Sequence, residues 1–221
     1  MEPPTITSAD VLLQLQTGAL AATGGTDLQG AAMLEFVASR YNRHKHAPMD
    51  VLKTILYLVE CCHGVPATLR NGVALLIDFR DIRYSQLDSA SLKLFLDTVQ
   101  TRYPVRITAI HILSNTWLVW AVVTWLCKSL SKAVKEKVQV HTSLNTVHNK
   151  VFPDQLTASF GGTLDYSHER WINGRIDAEG VAESVAVEIE AQKTSLIRRF
   201  SVKDIERARK VQRLGHYFGG G

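Results

Sequence analysis

The sequence has few cysteines and no long apolar run. Three of its 221 residues are cysteine, and Cys61 and Cys62 are adjacent, so no disulfide framework is expected and a reducing, intracellular compartment is favoured. The longest apolar run, residues 116–127, falls well short of the roughly 20 residues that span a bilayer. The N-terminus lacks the basic-then-apolar order of a signal peptide. These absences predict a cytoplasmic protein that associates with membranes only peripherally.

Signatures of catalysis and of cofactor binding are also missing. The sequence contains no Gly-x-Ser-x-Gly nucleophile elbow and no glycine-rich phosphate loop. Asp78 and Asp81 follow an apolar segment, but no partner acid for a metal-dependent site is identifiable. The His and Cys residues at 44, 46 and 61–63 match no standard zinc-ligand spacing. The sequence therefore predicts a protein that is not an enzyme and has no catalytic residue, no metal and no cofactor.

The charge balance is only mildly basic. Lys and Arg number 25 against 21 Asp and Glu, for a net charge of +4, which permits an anionic partner and argues against nucleic acid. Arginine suits phosphate groups, and ligands of open α/β sheets bind near strand ends. Four arginines near predicted strand ends are therefore candidates for a headgroup or membrane surface, with solvated surface charge as the alternative: Arg80, Arg83, Arg102 and Arg106.

Two segments, 73–78 and 105–113, carry apolar side chains at nearly every position rather than at every second one. That pattern is typical of strands covered on both faces, as in the middle of a parallel sheet. Between them Leu92, Phe95, Leu96 and Val99 form an i, i+3, i+4, i+7 stripe that predicts a helix. The sequence thus predicts a βαβ unit within an α/β fold, with a mostly parallel sheet and flanking helices.

Local signals predict further elements around this unit. Residues 18–38 should form a hairpin that turns at residues 23–27, where Gly and Asp cluster. Pro48 should open a helix that ends by Gly64. A short strand is expected at residues 138–141, and a short helix at residues 142–151. From about Asp177 the texture changes to amphipathic helix, rich in Lys and Arg between residues 193 and 213; this face could contact anionic lipid or simply be solvated.

The segment 117–126 has more apolar surface than one helix face needs for packing. It contains Trp117, Trp120 and Trp125 together with Val123 and Leu126. Such a helix can wall a concave ligand pocket or face a membrane, and it can equally be an ordinary core helix. On the sheet, the side chains expected to floor such a pocket, or alternatively to serve ordinary sheet packing, are Leu76, Ile110, Ile112 and Val140.

The order of these elements resembles the CRAL-TRIO lipid-binding domain over roughly residues 18–175. This resemblance implies that the segment 117–126 is a movable gate over a lipid cavity, with Trp117, Trp120, Val123 and Leu126 against the lipid. It also implies binding of a phospholipid, with a phosphoinositide as one choice. The matching residues are Tyr103 to Arg106, Ile110 to Asn115, the segment 117–130, Lys137, Val138, Leu156, Gly161 and Gly162.

The segment 155–171 is similar, more narrowly, to the end of the N-terminal CRAL-TRIO-type domain of Dbl-type Rho guanine-nucleotide exchange factors. In that subgroup a spectrin repeat follows, so residues 1–175 are expected to form the lipid-binding domain and residues 176–221 a helical extension. The chain lacks an exchange-catalysing domain, and Thr116 stands where the family often has Pro. The resemblance implies targeting or regulation of a Rho-signalling protein at membranes.

A second hypothesis stays open beside lipid binding. The fold could have lost its pocket and serve as a protein-interaction module that docks on, or autoinhibits, an exchange domain or a Rho-family GTPase. No clear match to the headgroup-binding residues of lipid-transfer members is found, and the helical extension resembles spectrin repeats. Both features are compatible with such a module.

Overall fold

The computed structural model describes residues 5–6, 8–42, 47–64, 66–82, 94, 98, 106–116, 120, 123–124 and 130–179, all within the compact unit Met1–Glu179. The domain boundary expected after residue 175 stays a prediction. The strands are β1 (Leu20–Thr26), β2 (Ala32–Val37), β3 (Val73–Asp78), β4 (Ile107–Leu113) and β5 (Val138–His141). The described α-helices of four residues or more are α1 (Ala9–Leu15), α2 (Pro48–His63), α3 (Pro66–Asn71), α4 (Lys132–Lys135), α5 (Leu144–His148) and α6 (His168–Glu179).

The strands form one five-stranded sheet in the order β1-β2-β3-β4-β5. β1 pairs antiparallel with β2, and the other neighbours pair in parallel. The predicted α/β class with a mostly parallel sheet is therefore confirmed. The predicted strands at residues 73–78 and 138–141 have the observed bounds. The helices predicted at residues 92–99 and 117–126 lie largely outside the described residues. The five of their residues that are described are all helical: Leu94, Thr98, Trp120, Val123 and Thr124.

The predicted hairpin is present, but its turn was placed wrongly. Gly24 and Gly25 belong to β1, and the chain turns at Asp27, whose Oδ1 accepts the N–H groups of Gln29 and Ala31 at 2.9 and 2.8 Å. Gly25 is needed for close packing instead, because a Cβ there would lie 2.1 Å from the carbonyl oxygen of Gln155. The glycines of this stretch therefore allow a close contact between distant segments and do not form a turn.

One side of the sheet, here called the core face, packs against the chain that follows β5. Its strand residues include Met33, Ala74, Leu76, Ala109 and Leu113, all buried. They are covered by α5 and by the two 3-10 helices after it, Pro153–Gln155 and Ala158–Phe160. The covering side chains in this cluster are Leu144, Val147, Val151, Leu156 and Phe160.

The connection between β2 and β3 passes over the opposite side of the sheet. α2, which lies between β2 and β3, contacts β1 and β2 and contributes no side chain to the core-face cluster. α2 therefore lies on the side of the sheet opposite the core face.

Candidate functional site

The side of the sheet that faces α2 carries apolar side chains on every strand. Strand pairing aligns them in two rows across the sheet, and alternation along each strand puts both rows on one face. We call these ten residues the apolar field. The first row is Leu20, Phe36, Ile77, Ile112 and Val140, and the second is Ala22, Leu34, Leu75, Ile110 and Val138.

Parts of the apolar field retain contact with solvent. Phe36, Ile77, Val138 and Val140 are half-buried, whereas Ile112 is only 6% exposed. Three of the half-buried residues lie in the first row, toward the carboxyl ends of the parallel strands. Ligands of open α/β sheets bind at that end, so the field offers a broad apolar floor with its least covered part where a ligand is expected.

Three of the four predicted floor residues lie together on this field. Ile110, Ile112 and Val140 occupy adjacent strands and share its face. Leu76 was grouped with them, but it lies on the opposite side of the sheet, fully buried in the core-face cluster. Its register partner in β4 is His111 rather than Ile110 or Ile112. Leu76 therefore packs the core instead of flooring a pocket on the field.

The predicted gate is partly visible. Trp120 and Val123 are helical; the Trp120 side chain is 47% exposed, whereas Val123 is 6% exposed. The Val123 side chain is thus buried while the large Trp120 side chain meets solvent. Trp117 and Leu126, the other gate residues, lie outside the described residues.

The four arginines do not form one cluster. Arg80 follows β3, where its guanidinium donates to both carboxylate oxygens of Asp78, at 3.0 and 2.7 Å, and to the Ser159 carbonyl at 2.8 Å. The bond to Asp78 raises the pKa of Arg80. Arg106 precedes β4, at the other end of the parallel strands, and donates to the Arg70 carbonyl at 3.0 Å. Arg83 and Arg102 lie outside the described residues.

Arg80 therefore holds the chain after β3, and its role at a headgroup or membrane surface stays a prediction. Arg106 is exposed and remains a candidate for phosphate binding. Its position at the amino ends of the strands separates it from the first row of the apolar field.

A buried histidine pair lies on the core face, between β4 and β5. His111 Nδ1 and His141 Nε2 are 3.1 Å apart, and the two residues are 2% and 5% exposed. Burial, followed by the charges of His141 and Lys150, lowers the pKa of His111 to about 4. Burial and Lys150 also lower the pKa of His141. Both rings are therefore neutral at pH 7.

A cavity of about 410 Å³ lies beside α2, against α6 and the N-terminal segment. Tyr57 donates to Glu179 at 2.7 Å and accepts from Arg175 at 3.0 Å. Burial alone would raise the pKa of Glu179, but the bonds from Tyr57, Ile6 and Arg175 together lower it. This network ties α2 to α6 and the N-terminal segment. The lining residues are Thr5, Tyr57, Glu60, Cys61, Gly64, Arg175 and Glu179.

Within the described ranges, no three His, Cys, Asp or Glu side chains are grouped closely enough to hold a metal ion. Burial raises the pKa of Cys61 and raises that of Cys62 to about 12, so both thiols are protonated and weakly nucleophilic at neutral pH. Among the helices of the described part, none has the length and apolar character to cross a bilayer.

Sequence reasoning did not single out the histidine pair. The available signal was a polar residue inside an apolar strand: His111 stands in the middle of β4 and His141 ends β5. A buried titratable side chain in such a strand needs a partner. The partner itself depends on strand register, which the local pattern does not give.

Comparisons with known proteins agree with this architecture. Clavesin-2 of Homo sapiens is 27% identical over 158 residues, which cover 69% of this chain and 48% of that protein. Clavesin-1 of Mus musculus is 25% identical over 201 residues, covering 86% of this chain and 57% of that protein. The chain thus spans about half the length of the curated relatives it matches.

The crystal structure of Sfh5 superposes with a TM-score of 0.53 at 16% identity, covering 71% of this chain and 58% of that chain, which shows a shared fold. None of these relatives is named as an exchange factor, so the narrower resemblance to Dbl-type proteins receives no support from them. The model of the CRAL/TRIO domain matches residues 16–162, two thirds of the chain. The chain belongs to the CRAL/TRIO domain family.

Proposed function

We propose that this protein binds a phospholipid non-catalytically, with the apolar field as the floor of the pocket and the helix around Trp120 and Val123 as its gate. The observation that carries the proposal is the field itself: ten apolar side chains in two unbroken rows across five strands. Several of them are left half-buried. Each methylene of an acyl chain buried against such a surface contributes about 0.8 kcal/mol.

The chemistry of the field supports a binding role rather than a catalytic one. None of its ten side chains is a nucleophile or titrates, and catalysis usually requires a polar group with a perturbed pKa beside the ligand. A surface made only of hydrocarbon can hold an acyl chain and exclude water. It supplies no group that moves a proton or forms a covalent intermediate.

The headgroup and the membrane contact form the finer part of the proposal. Arg106 is exposed and is our candidate for a phosphate, including that of a phosphoinositide. Arg83 and Arg102, which lie outside the described residues, stay proposed for the same role. Trp120, nearly half exposed, suits the interface between water and acyl chains. We propose that the protein associates peripherally with membranes through this helix and takes up its lipid there.

A role in Rho signalling, through an exchange domain or a Rho-family GTPase, stays a proposal that rests on the sequence motif alone. So does the spectrin-like extension after residue 175. A pocketless interaction module would need the field to be filled by the protein's own side chains. The half-burial of Ile77 and Val140 favours the lipid-binding form.

The test is whether the purified protein carries or takes up lipid. We expect native mass spectrometry after bacterial expression, or uptake from phosphatidylcholine vesicles, to show one phospholipid per chain. Val140→Trp should fill the field and lower occupancy at least fivefold. Phe152→Trp, at a site 62% exposed in the loop after α5, is the matched control and should leave occupancy unchanged. A protein that stays empty, or full occupancy in Val140→Trp, would overturn the proposal.

A further inference from the structure

The hydrogen bonds around the buried histidine pair have only one consistent direction. The Thr146 hydroxyl donates to the Ser143 carbonyl at 2.8 Å, so its oxygen accepts from His141 Nδ1 at 3.2 Å. His141 therefore carries its proton on Nδ1, and in the neutral ring its Nε2 is an acceptor. His111 Nδ1 must then donate to it across 3.1 Å. The relay runs from His111 through His141 and Thr146 to the Ser143 carbonyl.

This arrangement tolerates neutral rings and resists full protonation. A proton added to His141 Nε2 would place two N–H groups against each other at 3.1 Å with no acceptor between them. A proton added to the outer nitrogen of His111 keeps the relay but buries a positive charge, and Lys150 opposes charge on both rings. Both routes weaken the contact, and buried charge without an anion is costly.

The acids and bases on neighbouring elements do not offset such a charge. On the core face, Asp78 of β3 is held by Arg80, and Glu35 of β2 accepts two bonds from Thr157. On α5, His148 bonds to the Phe160 carbonyl. Lys150, just after α5, is a cation. Acidification therefore adds positive charge to the pair, and no nearby unpaired carboxylate among the described residues neutralises it.

The pair sits where it can reach the proposed pocket. β5 is the edge strand and pairs only with β4 among the described strands, through bonds such as Ile110 N to the Lys137 carbonyl and Ser114 N to the His141 carbonyl, both 2.9 Å. Side chains alternate along β5, so His141 faces the core while Val138 and Val140 face the apolar field. Loosening β5 on one face displaces the edge of the field on the other.

We propose that the His111–His141 pair is an acid-operated release switch, in which protonation detaches β5 from β4 and opens the edge of the apolar field, so that bound lipid leaves faster. The switch rests on the proposed lipid-binding function, and its effector is the proton itself. Neutral conditions keep the relay closed and the field intact, and acid favours release.

The first test measures release directly. The full chain is loaded with fluorescent phosphatidylcholine at pH 7.5, and transfer into plain phosphatidylcholine vesicles is followed from pH 7.5 to 4.5. Zwitterionic vesicles keep the membrane charge nearly constant over this range. We expect the wild-type release rate to rise about tenfold by pH 5, since uptake of one proton shifts an equilibrium by up to a factor of ten per pH unit.

His111→Asn separates the switch from a general effect of acid. The Asn amide can donate in place of Nδ1 but does not titrate, so only His141 is left to take up a proton and the release rate should rise clearly less than that of the wild type. His63→Asn, on α2 beside Glu60, should respond to pH as wild type does. A flat wild-type profile, or a full response in His111→Asn, would overturn the switch. If His111→Asn does not fold, His141→Asn serves as the test variant instead, because its amide can still donate to Thr146.

A second measurement needs no lipid. Hydrogen exchange of the peptide covering β5, corrected for intrinsic rates, should show about tenfold lower protection at pH 5 than at pH 7.5. Protection of β3 should stay unchanged, and the loss in β5 should be clearly smaller in His111→Asn. Constant protection of β5 would overturn the switch even in a protein that binds lipid. Loss of protection in a protein that takes up no lipid would overturn the proposed function, and with it the release step.

Discussion

The carboxylate of Glu35 is buried on the core face and accepts two hydrogen bonds from Thr157, from the backbone N–H at 3.2 Å and from the hydroxyl at 2.6 Å. These bonds fasten the segment before the Gly161–Gly162 pair to the middle of β2. Burial raises the pKa of Glu35 despite the two bonds and the nearby Arg40. The folded protein therefore holds the protonated acid more tightly than the unfolded chain does.

We predict that Glu35→Gln is neutral or stabilising at pH 7. Glutamine keeps an acceptor for Thr157 and avoids burying a charge, so the gain should be about 1 kcal/mol in the free energy of unfolding. The stability that Glu35 contributes is complete below its unfolded pKa near 4.5 and is lost as pH rises through its raised folded pKa. The advantage of glutamine should therefore shrink toward pH 4.5, as urea unfolding at several pH values would show.

The control is Glu35→Ala, which leaves both Thr157 donors without a partner and should cost about 1–3 kcal/mol. If Glu35→Gln were as destabilising as the alanine variant at pH 7, the ionised carboxylate would be essential and our sign for its pKa shift would be wrong.

The pair Arg80 and Asp78 gives a second prediction, which tests whether Arg80 stabilises the fold. Arg80→Met should leave the buried Asp78 without its two guanidinium bonds and cost about 1–3 kcal/mol of stability, at the low end of values for buried pairs since Arg80 is partly exposed. Arg106→Met, at an exposed site with one bond to a carbonyl, should change stability by less than about 0.5 kcal/mol. Urea unfolding of both variants measures the difference.

Binding to anionic vesicles distinguishes the two arginines further. Arg80→Met should bind such vesicles as wild type does under conditions where it is folded, because its charge is already matched by Asp78. Weakened vesicle binding with unchanged stability would instead return Arg80 to the set of headgroup ligands.

Much of the fold could be predicted from the sequence, because the patterns that indicate strands and helix ends are local. A continuous apolar run predicted β3, and a short strand was predicted at residues 138–141, both with the observed bounds. Pro48 marked the start of α2. The turn of the hairpin was misplaced because Gly25 is required by its close contact with the Gln155 backbone. Gln155 lies about 130 positions further along the chain, and no local pattern encodes that contact. The helix predicted over residues 142–151 is shorter, Leu144–His148.

The residues of the candidate site were harder to predict from the sequence, since the site depends on strand register. Ile110, Ile112 and Val140 share a face through pairing of β4 with β5, whereas one position of register decides that Leu76 points to the core. The composition of β3 alone does not reveal which of its residues face the field, because both of its faces are apolar. The ion pair of Arg80 could have been predicted from the sequence, because its partner Asp78 stands only two residues earlier.

Membrane contact through the gate helix gives a third prediction. Trp120→Ser should weaken partitioning into phosphatidylcholine vesicles about fivefold to tenfold, since an exposed indole loses its interfacial contact. Phe152→Ser removes another exposed aromatic ring, 62% accessible, from the loop after α5. Phe152→Ser should change partitioning less than twofold, as vesicle sedimentation can measure. Equal effects of the two substitutions would indicate non-specific adsorption rather than docking through this helix.

The histidine pair makes a prediction for stability that is independent of any ligand. Its folded pKa values lie below the unfolded value near 6.5, at about 4 for His111, so unfolding takes up protons in acid. The contribution of His111 to stability is complete above pH 7 and is lost as pH falls from about 6.5 toward 4, by up to about 3 kcal/mol. Urea unfolding of wild type from pH 7.5 to 4.5 should show this decline.

His111→Asn should remove most of that decline, because its side chain does not titrate. Glu35 works in the opposite direction over part of the same range, since its raised pKa favours the folded state in acid, so the informative quantity is the difference between variant and wild type at each pH. That difference should change sign or shrink steadily below pH 6.5. Parallel stability curves for the two proteins would mean that His111 keeps an ordinary pKa and that the relay does not resist protonation.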